Sequence, residues 1–353
     1  MFSSLPFGLM FLFVMGFGTM LSISSVHWLG IWAGLEMNLI GFLPMLIYQK
    51  KISESESAVK YFIIQALGSS LLIFGSLLGF STSFSWDVMS GGMSGIMGLC
   101  TLVSGLSVKL GVFPFPFHYW VPSVMTGLSW ISCMLLATWQ KLAPLFLLLS
   151  LCELSQMKEL LVLFCVMSGG SALVGGMGGL NQTQIRALLA YSSIGHLGWM
   201  TFAMLHGEWC MKLYLFIYLG INTSLFVSLW LKDSSAMKNV SSLKHFKIYH
   251  LVIMLLLLSL SGLPPLLGFV SKWLVVFVAS SGPFSFIIFV LILGSLMSLF
   301  YYLSLFFSFF LNFFKNNNKE LDVVVSKSVV VMISMLNVVG SVLILLSNFV
   351  EWL

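Results

Sequence analysis

Lys109-Leu-Gly-Val-Phe-Pro-Phe-Pro116 and Ser261-Gly-Leu-Pro-Pro265 decide how this chain is read. Each interrupts an apolar stretch, residues 93–123 and 249–280, that is otherwise longer than one bilayer crossing needs. Proline removes a backbone donor and clashes with the preceding turn. Carbonyls freed at membrane depth are tolerated only inside protein or beside water. Both stretches therefore predict a broken membrane helix, and each carries a lysine at its break, Lys109 in one and Lys272 in the other.

The rest of the chain supports that setting. Of 353 residues, 59% are hydrophobic and 8% charged, and mean hydropathy is +1.05. Soluble domains carry about 25% charged residues, so the composition predicts an all-α polytopic membrane protein. The net charge of +5 comes almost wholly from lysine, with Arg186 the single arginine. No clustered basic face exists for nucleic acid. Cys100, Cys133, Cys152, Cys165 and Cys210 fall singly in apolar segments with no CxxC, which reads as buried free thiols and not as a metal site. Met1 to Ser22 is apolar and uncharged, and is expected to be a retained membrane helix and not a signal or transit peptide.

At around 20 apolar residues per crossing, eleven transmembrane helices are expected. They lie near 3–23, 26–48, 59–80, 93–123, 126–150, 159–178, 183–205, 210–231, 249–280, 284–311 and 324–349. The two broken crossings lie five apart, so they run in opposite directions. That predicts two inverted five-helix repeats, residues 1–150 and 159–311, each with a broken helix, and an appended helix at 324–349. Interrupted segments at matching positions of two halves point to the site in transporters. Loops on the N-terminal side hold Lys50, Lys51, Lys232, Lys238, Lys244, Lys247, Lys315 and Lys319, against Lys158 and Lys212 opposite. The positive-inside rule then sets the N-terminus in the cytoplasm or the matrix.

Four ionisable residues lie deep in apolar crossings: Glu36, Lys109, Lys141 and Lys272. Each costs roughly 2.5–3.5 kcal/mol at a helix centre unless it pairs, titrates or meets water. Their retention suggests a path for a small cation, above all the proton. Glu36, in Trp32-Ala-Gly-Leu-Glu-Met-Asn38, is too far from either helix end to snorkel; the other reading is a protonated acid bonded to a neighbouring helix. Lys109 is expected to pair with Glu36. Pairing favours both charges, and separation in low dielectric favours both neutral forms. Lys141, in Thr138-Trp-Gln-Lys-Leu-Ala-Pro144, has no acid three or four residues away. For Lys109, Lys141 and Lys272 the competing reading is a snorkelling anchor. His196, in Tyr191-Ser-Ser-Ile-Gly-His196, suits proton relay or an interhelical hydrogen bond equally. His118 reads as interfacial beside Tyr119 and Trp120, or as lining a cavity at the break. Arg186 reads as a lipid-facing anchor and Lys60 as snorkelling. Gly169-Gly170, Gly175-Gly176 and Gly178-Gly179 read as close-packing glycines.

These stretches, together with Ala58-Val-Lys-Tyr-Phe62, Asn181-Gln-Thr-Gln-Ile-Arg186 and Gly262-Leu-Pro-Pro-Leu-Leu-Gly-Phe-Val-Ser-Lys272-Trp, resemble the subunit 2 family of mitochondrial NADH dehydrogenase. Members are antiporter-like membrane-arm subunits of respiratory complex I. The resemblance implies a proton-translocating core subunit in the mitochondrial inner membrane, with its N-terminal side toward the matrix. It implies roles in proton transfer for Glu36 and Lys109 as an ion pair, Lys141 as central relay, Lys272 toward the exit and His196 less firmly. It implies no cofactor in this chain; NADH, FMN, iron–sulfur clusters and ubiquinone would belong to other subunits. Implied partners are other membrane-arm subunits and phospholipids such as cardiolipin. A cation/proton antiporter subunit is the alternative, since such proteins share single motifs.

Overall fold

The computed structural model describes residues 7–48, 51–84, 86–87, 96–111, 117–154, 158–230, 247–280, 282, 284–315 and residue 337. Its elements are helical: α1 Gly8–Ser24, α2 Trp28–Leu46, α3 Ile52–Ser83, α4 Ile96–Leu110, a 3-10 turn Phe117–Tyr119, α5 Trp120–Gly127, α6 Trp130–Ala137 and α7 Trp139–Leu154. Then follow α8 Lys158–Gly179, α9 Ile185–His206, α10 Glu208–Trp230, α11 Lys247–Ser261, α12 Leu267–Ala279 and α13 Ser285–Lys315. Among the described residues six spans are long and apolar enough to cross a bilayer, and shorter apolar helices accompany them. The expected crossing at 324–349, apart from residue 337, and the whole of Val112–Pro116 in the first break lie outside the described residues.

Backbone packing divides the chain into two compact units, one ending at Met167 and one beginning at Ser168. In the first, α1 packs on α2, α3 on α4, and α7 on both α1 and α4. Missing side chains let these backbones meet. A Cβ on Gly34 would stand 2.8 Å from the Gly18 carbonyl, and one on Gly105 would stand 3.0 Å from that of Gly68. Small residues at such seams substitute for the hydrophobic drive that lipid removes.

α3 is inverted relative to a soluble amphipathic helix. Glu54, Ser57, Tyr61, Gln65, Ser69 and Ser76 are buried, while Val59, Phe62, Ile63, Phe74 and Leu77 face outward. The spacings 54, 57, 61, 65 keep the polar groups on one stripe at 3.6 residues per turn. Ser57, Ser69 and Ser76 donate to the carbonyls of Glu54, Ala66 and Ile73 of their own helix. Tyr61 and Gln65 reach out of it instead.

In the second unit α10 packs on α9, α11 and α12, and α13 on α9 and α11. α8 supplies the expected glycine seams: a Cβ on Gly175 would lie 2.6 Å from Gly195 N, and one on Gly176 would lie 2.8 Å from the Gly294 carbonyl. α9 is buried on nearly every side.

The breaks have physical ends. α4 stops where Gly111 turns to φ +73°, and α11 stops where Gly262 turns to φ +83°. Both are conformations that L side chains rarely adopt. A third interruption was not anticipated. The stretch 126–150, read as one crossing, divides at Leu128–Ser129 and again at Thr138. There the Thr138 hydroxyl donates to Met134 O at 2.6 Å, and the helix restarts one residue later with Lys141 in its first turn.

Candidate functional site

In the first unit, α2 and α4 bring Glu36 and Lys109 together. Glu36 Oε1 lies 3.8 Å from Lys109 Nζ, with the lysine side chain 3% exposed and the carboxylate 26%. That spacing is an ion pair without a direct hydrogen bond. Lys109 occupies the last turn of α4, where the negative end of the helix dipole also favours a cation. Gly68 leaves room for its stem, since a Cβ there would stand 2.8 Å from Lys109 Cγ.

The break after Lys109 has its loose carbonyls covered by other side chains. Gln65 Nε2 donates to Lys109 O at 3.3 Å, and Trp120 Nε1 donates to Val108 O at 3.2 Å. Satisfying freed backbone groups in this way is what permits a break at membrane depth.

Lys141 is buried in the first turn of α7, just past the Thr138 interruption. Its neighbour Gln140 forms a reciprocal amide pair with Asn38 of α2. Asn38 Nδ2 donates to Gln140 Oε1 at 2.9 Å, and Gln140 Nε2 donates back to Asn38 Oδ1 at 3.1 Å. The Tyr61 hydroxyl also donates to Gln140 Oε1 at 3.4 Å. Tyr61 is held between Phe42 and Trp120, with ring centroids 5.3 and 5.8 Å away. A polar bridge thus runs from the helix of Glu36 to the turn of Lys141. Sequence reasoning missed Asn38, Tyr61, Gln65 and Gln140. The available signal was the presence of uncharged amides inside apolar crossings, next to ionisable residues.

In the second unit, Lys272 of α12 reaches back to the break before it. Its Nζ donates to Ser261 O, at the end of α11, at 2.8 Å. The stem crosses Gly262, where a Cβ would stand 2.9 Å from Nζ. His196 is buried on α9, and its Nδ1 shares a hydrogen bond with the Tyr214 hydroxyl of α10 at 2.9 Å. The Tyr218 ring lies 5.2 Å from the imidazole. Lys272 and His196 line one small cavity together. Tyr214 was also missed, because nothing local in the sequence assigns its hydroxyl to a histidine on another helix.

Several other residues find ordinary settings. His118 is buried beside the exposed Tyr119. Arg186 is half-buried in the first turn of α9, and Lys60 is exposed on α3. The five cysteines are free thiols.

Chemically, the first unit offers an acid–base pair whose charge can be kept or released as its spacing changes. The second offers a lysine and an imidazole around one cavity, with neutral hydrogen-bonding partners.

Comparison with known proteins accords with this architecture. The family model described as NADH:quinone oxidoreductase/Mrp antiporter, TM matches residues 25–300. The NADH-ubiquinone oxidoreductase chain 2 of Locusta migratoria is 37% identical over 345 residues, covering 97% of this chain and 96% of its own length. That of Lumbricus terrestris is 38% identical, covering 82% of this chain and 83% of its own. In the structure of respiratory complex I from Thermus thermophilus with bound aureothin, one chain superposes with TM-score 0.82 at 25% identity, covering 95% of this chain and 78% of that one. With matches of that extent, this multi-pass membrane chain belongs to the NADH:quinone oxidoreductase/Mrp antiporter family, among its NADH-ubiquinone oxidoreductase chain 2 members.

Proposed function

We infer that this chain translocates protons as a membrane-arm subunit of an NADH:ubiquinone oxidoreductase. Glu36 and Lys109 act as a switchable ion pair, Lys141 as the central relay, and His196 and Lys272 as the groups beyond it. The carrying observation is that ionisable side chains sit at or beside interrupted helices in both units, in a chain of this family. Changes in the Glu36–Lys109 pairing alter the field at the next lysine and so its hold on a proton. Moving one charge against 100 mV costs about 2.3 kcal/mol. A two-unit change in a lysine's proton affinity is worth about 2.7 kcal/mol, which is sufficient.

The same reading carries the finer expectations. The chain crosses the mitochondrial inner membrane eleven times as two inverted repeats and a final helix, with its N-terminus toward the matrix. Its neighbours are other membrane-arm subunits and phospholipids such as cardiolipin. Electron chemistry, with NADH, FMN, iron–sulfur clusters and ubiquinone, takes place in other subunits. The alternative, a cation/proton antiporter subunit, is supported by the family description, which names the Mrp antiporter; the oxidoreductase reading is the better one, because the relatives that match nearly end to end carry that name.

The test is Lys141→Ala in the assembled complex, reconstituted in vesicles. Assembly should persist while proton-linked turnover falls. An unchanged proton-to-electron ratio would remove Lys141 from the path. Sodium-dependent proton flux from vesicles holding this chain alone would favour the antiporter reading.

A further inference from the structure

Trp32 and Glu36 stand one turn apart on α2. Residues four apart share a helix face, with Cβ atoms about 5–6 Å from each other. Side chains of a helix lean toward its N-terminus, so the Glu36 carboxylate lies over the turn that holds Trp32. Trp32 Nε1 is buried, and among the described residues it has no hydrogen-bond partner. A buried donor left unmet costs free energy, and native interiors rarely keep one. Glu36 Oε1 is buried too, and meets Lys109 Nζ at 3.8 Å, which is too long for a hydrogen bond. Other nearby donors are committed elsewhere. Tyr61, close enough to feel the charge of Glu36, gives its hydroxyl to Gln140 Oε1 at 3.4 Å, and Asn38 gives its amide to the same oxygen at 2.9 Å. The two members of the ion pair also differ in freedom. Lys109 is 3% exposed, with its stem against Gly68, whereas the carboxylate is 26% exposed. Glu36 is the member with room to turn.

We propose that Trp32 is the second resting place of the Glu36 carboxylate, its indole N–H donating to the carboxylate when the pair with Lys109 opens. This rests on the proton-transfer reading above and adds to it a positioning residue. A buried carboxylate stripped of its counter-charge is costly. A hydrogen bond to an anion is among the stronger ones, and it offsets part of that cost without supplying a charge. The pair then opens with Glu36 still ionised, and the field at Lys141 changes through the swing of one side chain. No proton moves in this step, and only hydrogen bonds and ionic contacts are exchanged.

The experiment uses the assembled complex, reconstituted in vesicles. Trp32→Phe keeps a ring and loses the donor. It should slow proton-linked turnover about tenfold, near the lower end for a hydrogen bond to a charged group. Trp28→Phe serves as control and should match the unmodified chain. Trp28 lies one turn further from Glu36, and its indole also lacks a partner among the described residues. Ultraviolet resonance Raman spectra report hydrogen bonding of the indole N–H. Subtracting Trp32→Phe from the unmodified complex should show a free N–H at Trp32. The same subtraction in the assembled fraction of Lys109→Met should show a hydrogen-bonded N–H, a change that a tryptophan needed only for packing would not make. A free N–H in both backgrounds overturns the proposal. So does normal turnover in Trp32→Phe, or an equal loss in Trp28→Phe. If Trp32→Phe fails to assemble, the indole bands of Lys109→Met and the unmodified complex are compared directly, and identical bands overturn it. If Glu36→Gln abolishes pumping while Trp32→Phe leaves it intact, the swing fails and the broader reading stands. If neither variant alters the proton-to-electron ratio, the broader reading fails with it.

Discussion

The two units solve the same problem differently. Each breaks a membrane helix and keeps a lysine beside the break. In the first, other helices cover the exposed carbonyls, through Gln65 and Trp120, and the lysine is left to face a carboxylate. In the second, the lysine itself covers a carbonyl, that of Ser261. The first unit therefore separates the repair of its backbone from the placing of its charge. The second assigns both tasks to one ammonium. Loss of Lys109 should be mainly an electrostatic injury, and loss of Lys272 should be an injury to the helix end as well.

The largest effect is expected from splitting the ion pair. Lys109→Met leaves Glu36 without its counter-charge, and breaking a buried pair costs about 3–5 kcal/mol. Because the carboxylate is 26% exposed, the lower end applies. Native gels and thermal denaturation of the complex should show reduced assembly. Glu36→Gln combined with Lys109→Met should recover most of the assembly and none of the pumping. If the double variant is as unstable as Lys109→Met, the two side chains are not coupled.

A smaller effect separates the two tasks of Lys272. Lys272→Met should destabilise the second unit by about 1–3 kcal/mol, the cost of an uncovered buried carbonyl. Lys272→Arg keeps donors and charge but does not release its proton. It should assemble normally and fail to pump. Normal pumping in Lys272→Arg would confine Lys272 to covering the helix end.

The smallest effect concerns the amide bridge, which has no equivalent among the contacts described in the second unit. A double-mutant cycle on Asn38→Leu and Gln140→Leu should return a coupling of about 0.6–1.7 kcal/mol in thermal stability, the range for hydrogen bonds between membrane helices. Strict additivity would mean that the pair carries no net interaction.

Much of this was legible before any coordinates. The glycine–proline runs announced both breaks, because those residues change backbone chemistry wherever they stand. Glu36, Lys109, Lys141 and Lys272 announced themselves because charge is scarce in apolar helices. What escaped the sequence was rotation about each helix axis. In a chain apolar on nearly all sides, periodicity says little about which face meets which neighbour. Asn38 with Gln140, and His196 with Tyr214, are pairs across helices and depend on that rotation. The Thr138 interruption escaped for another reason. Threonine is common in unbroken membrane helices, and its side-chain bond to Met134 O becomes visible only in three dimensions.

The inverted stripe on α3 bears on how the protein is made. Ser57, Ser69 and Ser76 bind carbonyls of their own helix, so leaving the insertion machinery early exposes few unmet hydroxyls to lipid. Tyr61 and Gln65, whose partners Gln140 and Lys109 come later in the chain, must wait for those segments to emerge from the ribosome. α3 therefore enters the bilayer with these serine hydroxyls already met and docks later through the remaining polar groups of its stripe.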